Sequence, residues 1–453
     1  MLILVFLLSL AMPFNIYAGP LRLTPYRIML LVMTIPLFMQ WMAGRMGGKP
    51  ILPDMLFLGY AVWIPFSLLV THGFERLPFG GITAVEAFGA YLLGRSLVRG
   101  PEAFEYFVRC LILILLALIP LVAYEALTGH RPLSAFLRGD EAFTGMAHGE
   151  MRWGMHRAQG PFEHPILFGV FAASGFGMAW FAFSARGGQS ARLFCTGVAG
   201  VATFFSLSMG AFLAGFVQTG MMGYELITRR QPNRWKILLM VSLGIYLFFY
   251  VFSHRGITGI VVEELSFNAF AASVRLHTWQ YGFDAALGNP LFGIGFGDWA
   301  RPGWLTSSVD NFWLLNAMRY GLPAAVMLIA GIVILIRRVA RAEAPDAMFS
   351  ACRLGFVTAI LGMSVALASV HAWNALYSYL FFLLGAGAWM ALPAEEETGR
   401  RGQRKGGAPA EAQAQADPEA ARSVKAQPPR GGEAFTKAVL RRGPVRPPRL
   451  GKR

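Results

Sequence analysis

Arginine, histidine and one aspartate are the residues with which this chain could do chemistry. Eight histidines are spread along it: His72, His130, His148, His156, His164, His254, His277 and His371. Arg152, Arg157, Arg255, Arg275, Arg301 and Arg319 fall in or beside polar stretches between apolar runs. An arginine presents a planar fork that fits two phosphate oxygens at once. Several together suit a site for a diphosphate. Asp310 opens an apolar run, where a carboxylate shielded from water can accept a proton. His156, His164 and Glu163 are alternative bases. Nothing resembles HExxH or a tight His/Cys cluster, so no metal is expected. The string Gly293-Ile294-Gly295-Phe296-Gly297 lacks the preceding strand and the following Lys-Ser/Thr of a nucleotide loop, and reads as a tight turn.

The elements that must position these groups are set by composition. The chain has 453 residues, is 55% hydrophobic and only 14% charged. Its mean hydropathy is +0.49. A soluble chain has about 25% charged residues. Soluble-enzyme and nucleic-acid-binding readings are therefore excluded, despite a net charge of +15. Cys110, Cys195 and Cys352 lie far apart and form no CxxC pair or disulfide framework.

A crossing needs about 20 apolar residues. Twelve spans are expected, near 1–18, 26–43, 53–71, 80–98, 105–128, 164–184, 193–207, 208–228, 237–253, 311–336, 354–371 and 373–392. An apolar run ending at Tyr17-Ala18-Gly19 could pass for a signal peptide. It lacks a basic start, so it reads as a retained span. With the N-terminus in the cytoplasm, the turns holding Arg45, Lys49, Arg95, Arg99, Arg109, Arg186, Arg192, Arg229, Arg230, Arg234, Lys236, Arg337, Arg338, Arg341 and Arg353 all fall inside. That agrees with the positive-inside rule and with both ends in the cytoplasm. Arg22 and Arg27, in the first outer turn, break the pattern. Two outer loops are long, at about 129–163 and 254–310, and every histidine lies on or beside that face. From Pro393 onward the chain is rich in Ala, Gly, Pro, Gln and charge, with 14 Lys+Arg against 7 Asp+Glu. Such a stretch buries too little apolar surface to offset its ordering entropy. Residues 393–453 read as a basic, disordered cytoplasmic tail that could touch anionic lipid.

Four segments stand out. Arg157-Ala158-Gln159-Gly160-Pro161-Phe162-Glu163-His164-Pro165 leads into a span, with Pro165 suited to a first helical turn. Ser206-Leu207-Ser208-Met209-Gly210-Ala211 is a turn of small residues that permits close helix packing. Ser273 to Trp279, with Leu276, Trp279, Phe283 and Leu287 at helical spacing, reads as an amphipathic helix on the outer surface with Arg275 at its start. Asp310-Asn311-Phe312-Trp313 opens a late span, and Arg319 follows about 13 Å further on at about 1.5 Å per residue. An intramembrane arginine faces a polar cavity or a partner. Asp310 is equally suited to cap that helix through backbone N–H bonds.

Taken in this order, the segments resemble the O-antigen ligase and Wzy-type polysaccharide polymerase superfamily over about 157–335. The resemblance rests on Arg157–Pro165, on the serine turn, on Arg275, Trp279, Pro290, Leu291, Gly293, Ile294, Gly295, Phe296 and Gly297, and on Asn311 with the aromatic residues after it. Two positions depart from the family pattern. Met209 stands where the serine turn usually carries arginine, and Asp310 stands where ligases carry histidine. The second departure favours a polymerase.

The resemblance implies an all-α integral membrane glycosyltransferase of the GT-C kind, in residues 1–392, in the bacterial inner membrane. Its donor would be an oligosaccharide on undecaprenyl diphosphate. The glycan would pass to a sugar hydroxyl on the outer face, with the lipid diphosphate leaving and neither cofactor nor metal required. Arg157 and Arg275 would neutralise the leaving group and Asp310 would serve as base. Arg152, His156, His164, Arg255, Arg301, Asn311 and Arg319 would line the substrate site. Partners would be membrane lipid and other polysaccharide assembly or export proteins, with no nucleic acid. A ligase acting on a lipid or protein acceptor, or a flippase for lipid-linked sugars, are the alternatives.

Overall fold

The computed structural model describes residues 1–19, 21–46, 48–133, 151–184, 188–231, scattered positions from 233 to 247, and 269–392. The contacts group Met1–Ala394 as one unit. The basic tail, the span near 237–253 for the most part, His148, His254 and Arg255 lie outside the described residues.

The described chain is mostly helical. Five stretches are long and apolar enough to cross a membrane: Leu52–Leu97, Pro101–Thr128, Pro165–Ala182, Leu322–Arg341 and Ala347–Ala366. Large apolar side chains such as Val32, Ile35, Val62, Leu113, Phe216 and Val326 point outward and are exposed. A lipid-facing surface looks like this, because helices in hydrocarbon satisfy their own backbone and need not hide apolar groups.

The chain opens with α1 (Leu2–Leu10), whose nine residues span about 13 Å at about 1.5 Å each and fall short of a full crossing. The expected first span, 1–18, is thus split. Its second half forms an antiparallel hairpin of β1 (Ile16–Ala18) and β2 (Leu21–Leu23), in which Tyr17 faces Arg22. Gly19 at φ +59° makes the reversal. Helix α2 (Pro25–Met42) follows, then α3 (Leu52–His72). The chain reverses at Gly73, whose φ is +64°. It returns through α4 (Leu77–Ala84), a π-helical turn at Val85–Gly89 and α5 (Ala90–Leu97). Gly80 lies against Pro65 and Leu68, so Leu52–Leu97 is a folded hairpin of helices.

Helices α6 (Pro101–Thr128), α7 (Pro165–Ala182), α8 (Gln189–Phe205) and α9 (Met209–Thr228) come next. After them come α10 (Ala269–Gly288), α11 (Phe312–Tyr320), α12 (Leu322–Arg341), α13 (Ala347–Ala366) and α14 (Asn374–Gly387). Without a hydrophobic drive between helices in lipid, close packing does the work. Gly94 of α5 lies against the Phe382 carbonyl of α14, and Gly385 of α14 lies against the Tyr91 carbonyl of α5. A methyl group at either position would meet backbone. The serine turn packs as its small residues imply, with Gly169 against Ser206 and Ala211.

The expected continuous span at 311–336 is broken. Gly321, at φ +84°, separates α11 from α12. The glycine turn after α10 fills the break. Ile294 N donates to Met318 O at 2.8 Å, Gly295 N to Arg319 O at 3.0 Å, and Leu322 N to Pro290 O at 2.8 Å. Trp63 Nε1 donates to Tyr320 O at 2.8 Å. Gly293 and Gly295 adopt φ of +69° and +59°, and a side chain at Gly293 would strike the Met318 and Arg319 backbone.

Candidate functional site

One end of the bundle gathers charge. There α6 finishes, α7 begins, α8 turns into α9 and α13 turns into α14. The segment Arg152–His164 binds all of these ends. His156 N donates to Ala126 O at 2.8 Å and Ala158 N to Phe205 O at 3.0 Å. Arg152 Nη1 donates to Leu207 O at 2.6 Å, in the serine turn. The buried Glu125 carboxylate accepts from Gln159 N and Gly160 N, both at 3.0 Å, and Arg131 lies 3.5 Å from it. Gly160 is at φ +54°, and a side chain there would come within 3.1 Å of Val122.

His164 is the N-cap of α7, its Nδ1 accepting from Ile166 N at 3.2 Å. Burial, then Arg157, Arg131 and Arg152 in that order, push its pKa down to about 4. Arg131 and Arg152 are at the same time fixed to Glu125 and to the serine turn, around the segment that ends at His164. The Trp373 ring lies 6.0 Å from His164 and 5.6 Å from His371. Burial and then Arg319 push His371 down to about 3. His371 also stacks on Phe312, 6.2 Å between centroids. A wall of rings thus runs from His164 through Trp373 and His371 to Phe312 at the start of α11.

The two arginines that broke the positive-inside pattern belong to this end. Arg22 of the hairpin pairs with Glu163. Arg27 donates through Nε to Glu86 at 2.7 Å, through Nη1 to Arg22 O at 2.7 Å and through Nη2 to Asn374 Oδ1 at 2.9 Å. Glu86 sits in the π-helical turn, a distortion often found at functional sites, and also accepts from Tyr26 at 3.0 Å. Glu163 accepts from Trp373 Nε1 at 2.9 Å and from Asn374. With those partners it is an anchor for the Arg157–His164 segment.

Arg319 ends α11, over the Phe296 ring at 4.6 Å. It lines a cavity of about 200 Å³ with Ile294 to Trp299, Ser307, Val309, Leu315 and Met318. Arg275, Thr278, Gly282 and Ala286 follow one another at steps of three and four residues along one face of α10. Gly282 is against Leu314 and Met318, while Trp279, Phe283 and Leu287 face outward. Arg275 therefore shares the face that α10 turns to α11.

The remaining expected residues are not drawn into the same cluster. Arg301 is spent within its loop: it pairs with Asp298, donates to Leu305 O at 3.1 Å and Trp299 O at 3.0 Å, and stacks on Trp299. Asp310 is exposed, accepts from Ser308 at 3.3 Å, and makes no ion pair among the described residues. It does not cap α11. Asn311 does, its Oδ1 accepting from Leu314 N at 3.0 Å. The reason is register: the cap must reach two or three residues ahead, and α11 starts at Phe312. No protein-family model matches the chain, and no curated protein matches it.

Residues not singled out as site residues are Arg22, Arg27, Glu86, Arg131, His371, Trp373 and Asn374. Two signals pointed to some of them. Arg22 and Arg27 sit on the wrong side for the positive-inside rule, and Glu86 is a charge inside an apolar run.

Proposed function

We propose that the chain is a membrane glycosyltransferase that polymerises surface-polysaccharide repeat units. On this reading, a GT-C-like helical domain crosses the bacterial inner membrane, and its charged end faces outward. The observation that carries the proposal is the gathering of Arg131, Arg152 and Arg157 around the segment that leads into α7, where Arg131 lies 3.5 Å from Glu125, Arg152 donates to Leu207 O at 2.6 Å and the amide after Arg157 donates to Phe205 O at 3.0 Å. Three cationic forks beside the start of α7 suit the diphosphate of an undecaprenyl-linked glycan.

The roles follow from the chemistry. The C–O bond from the anomeric carbon to phosphate breaks as the acceptor oxygen bonds to that carbon. The electron pair goes to the diphosphate, where Arg157, with Arg152 and Arg131, neutralises it. Arg275 approaches from α10 as a further clamp. The acceptor's proton passes to a base, for which Asp310 remains the candidate, because Glu163 and His164 are engaged in holding the segment. The serine turn carries no arginine at Met209 but receives Arg152 from outside. His156, Asn311 and Arg319 are candidates for lining the glycan.

A transporter for lipid-linked sugars is the second reading, favoured by the broken helix at Gly321. In that class, carbonyls freed at a break hold ions. Here the Met318, Arg319 and Tyr320 carbonyls are each taken by a protein donor. Glycosyl transfer therefore stands first. The test is the glycan profile of cells lacking the gene. Single repeat units without long chains support polymerisation. Long chains held on undecaprenyl diphosphate support the ligase alternative. An unchanged profile removes both. With purified protein, Arg275→Ala and Asp310→Asn should each abolish product while inserting normally.

A further inference from the structure

We propose that the cavity beside Arg319 binds the carboxylate of an acidic sugar ring, so that the glycan handled by this protein contains a uronic-acid-type residue. The inference rests on the glycosyl-transfer reading and names its substrate class.

Its first support is charge. Among the described residues Arg319 has no carboxylate partner, and its buried Nε has no hydrogen-bond partner. The α11 carbonyls that a terminal arginine could serve are already satisfied by Ile294 N, Gly295 N and Trp63 Nε1. Asp298, on the cavity rim, is neutralised by Arg301. Arg76, over the same Phe296 ring at 5.2 Å, adds positive potential, moderated by Glu75 at 3.7 Å. Among the described residues, the cavity is left with one cation that has no acid partner.

Its second support is shape. At roughly 30 Å³ per water, 200 Å³ holds about seven waters, the size of one sugar ring with its hydroxyls. Phe296, with Arg319 over its ring, and Trp299 line the cavity, and the backbone from Ile294 to Asp298 forms its wall. The number of cations separates the ligands. A diphosphate fits the three-arginine centre at His164, whereas one planar fork matches one carboxylate.

The experiment uses the full-length protein in lipid nanodiscs, with methyl glucuronoside, methyl glucoside and inorganic pyrophosphate as probes in saturation-transfer NMR. The glucuronoside should bind about tenfold or more tighter than the glucoside, as expected for a charge-assisted pair. Arg319→Gln should erase that preference. Arg319→Lys, which keeps the charge but not the fork, should retain part of it and covers the case in which the glutamine variant fails to fold. Pyrophosphate binding should depend on Arg157 and not on Arg319. Equal binding of the two glycosides overturns the inference, as does Arg319-dependent pyrophosphate binding without the glucuronoside. If only the glucuronoside fails while pyrophosphate still needs Arg157, the transfer reading survives. If pyrophosphate binding is also independent of Arg157, both fall.

Discussion

The two ends of this helical bundle both bury charge, and they do so in opposite ways. At one end Asp54 is fully buried and its oxygens are saturated. Tyr91 and Arg95 donate to Oδ1, the latter at 3.1 Å, while Trp41 Nε1 and Ile51 N donate to Oδ2 at 3.2 and 2.9 Å. At the other end, among the described residues, Arg319 has no acid partner and the amide of the buried Gln159 has no hydrogen-bond partner. A saturated ion pair holds helices together. On the proposed function, the arginines of the other end are kept in place by protein contacts and meet an anion from outside. Burial alone does not separate structure from function here, but the balance of partners does.

Four measurements would break or sharpen that comparison. The largest effect is expected at the saturated end. Asp54→Ala strands Arg95 as an uncompensated buried charge, at a cost of about 3–5 kcal/mol. Fluorescence-detected size exclusion should show loss of folded protein, and an unaltered melting profile would make the pair dispensable. Next, Arg157→Ala should lower transfer by about 100-fold or more, as removal of a transition-state donor does, with the melting temperature nearly kept. A parallel loss of fold and activity would assign Arg157 to structure.

The third measurement is pH. His164 and His371 hold depressed pKa values of about 4 and about 3, below the ordinary 6.5. Both are neutral in the folded state at pH 7. As pH falls below 6.5 the unfolded chain binds protons that the folded chain refuses, so stability falls until the folded values are reached. Thermal unfolding from pH 7.5 to pH 4 should show that decline, and His164→Asn, which keeps a capping side chain, should flatten part of it. A constant melting temperature would refute the buried neutral state. The smallest effect belongs to Arg301→Lys. Its fork is occupied by its own loop, so transfer should stay within about threefold and stability within about 1 kcal/mol. A large loss of transfer would return Arg301 to the site.

Much of the local structure was legible before any coordinates. Proline at the start of α7 and the small-residue turn at Ser206–Ala211 stand where their sequence signals put them, and a helix carries Arg275, but it begins at Ala269 and places Arg275 within it and not at its start. The short first helix and the break at Gly321 were not legible. Hydropathy averages over a window and does not register one glycine turned to positive φ. Arg95 had been counted among the basic turns, yet it lies buried against Asp54. Its partner is 41 residues away, and no local rule pairs them.

The sequence by itself determined a helical chain suited to a membrane, because the length and apolarity of a run are local properties that lipid reads directly. It also marked the arginines and histidines from which a site could be built. Only the tertiary structure decided which of them meet. Arg27 reaches Asn374 across 347 positions, Glu163 reaches Trp373 across 210, and Trp63 reaches Tyr320 across 257. Those meetings depend on how helices pack and where backbones touch, and packing is a property of the whole bundle.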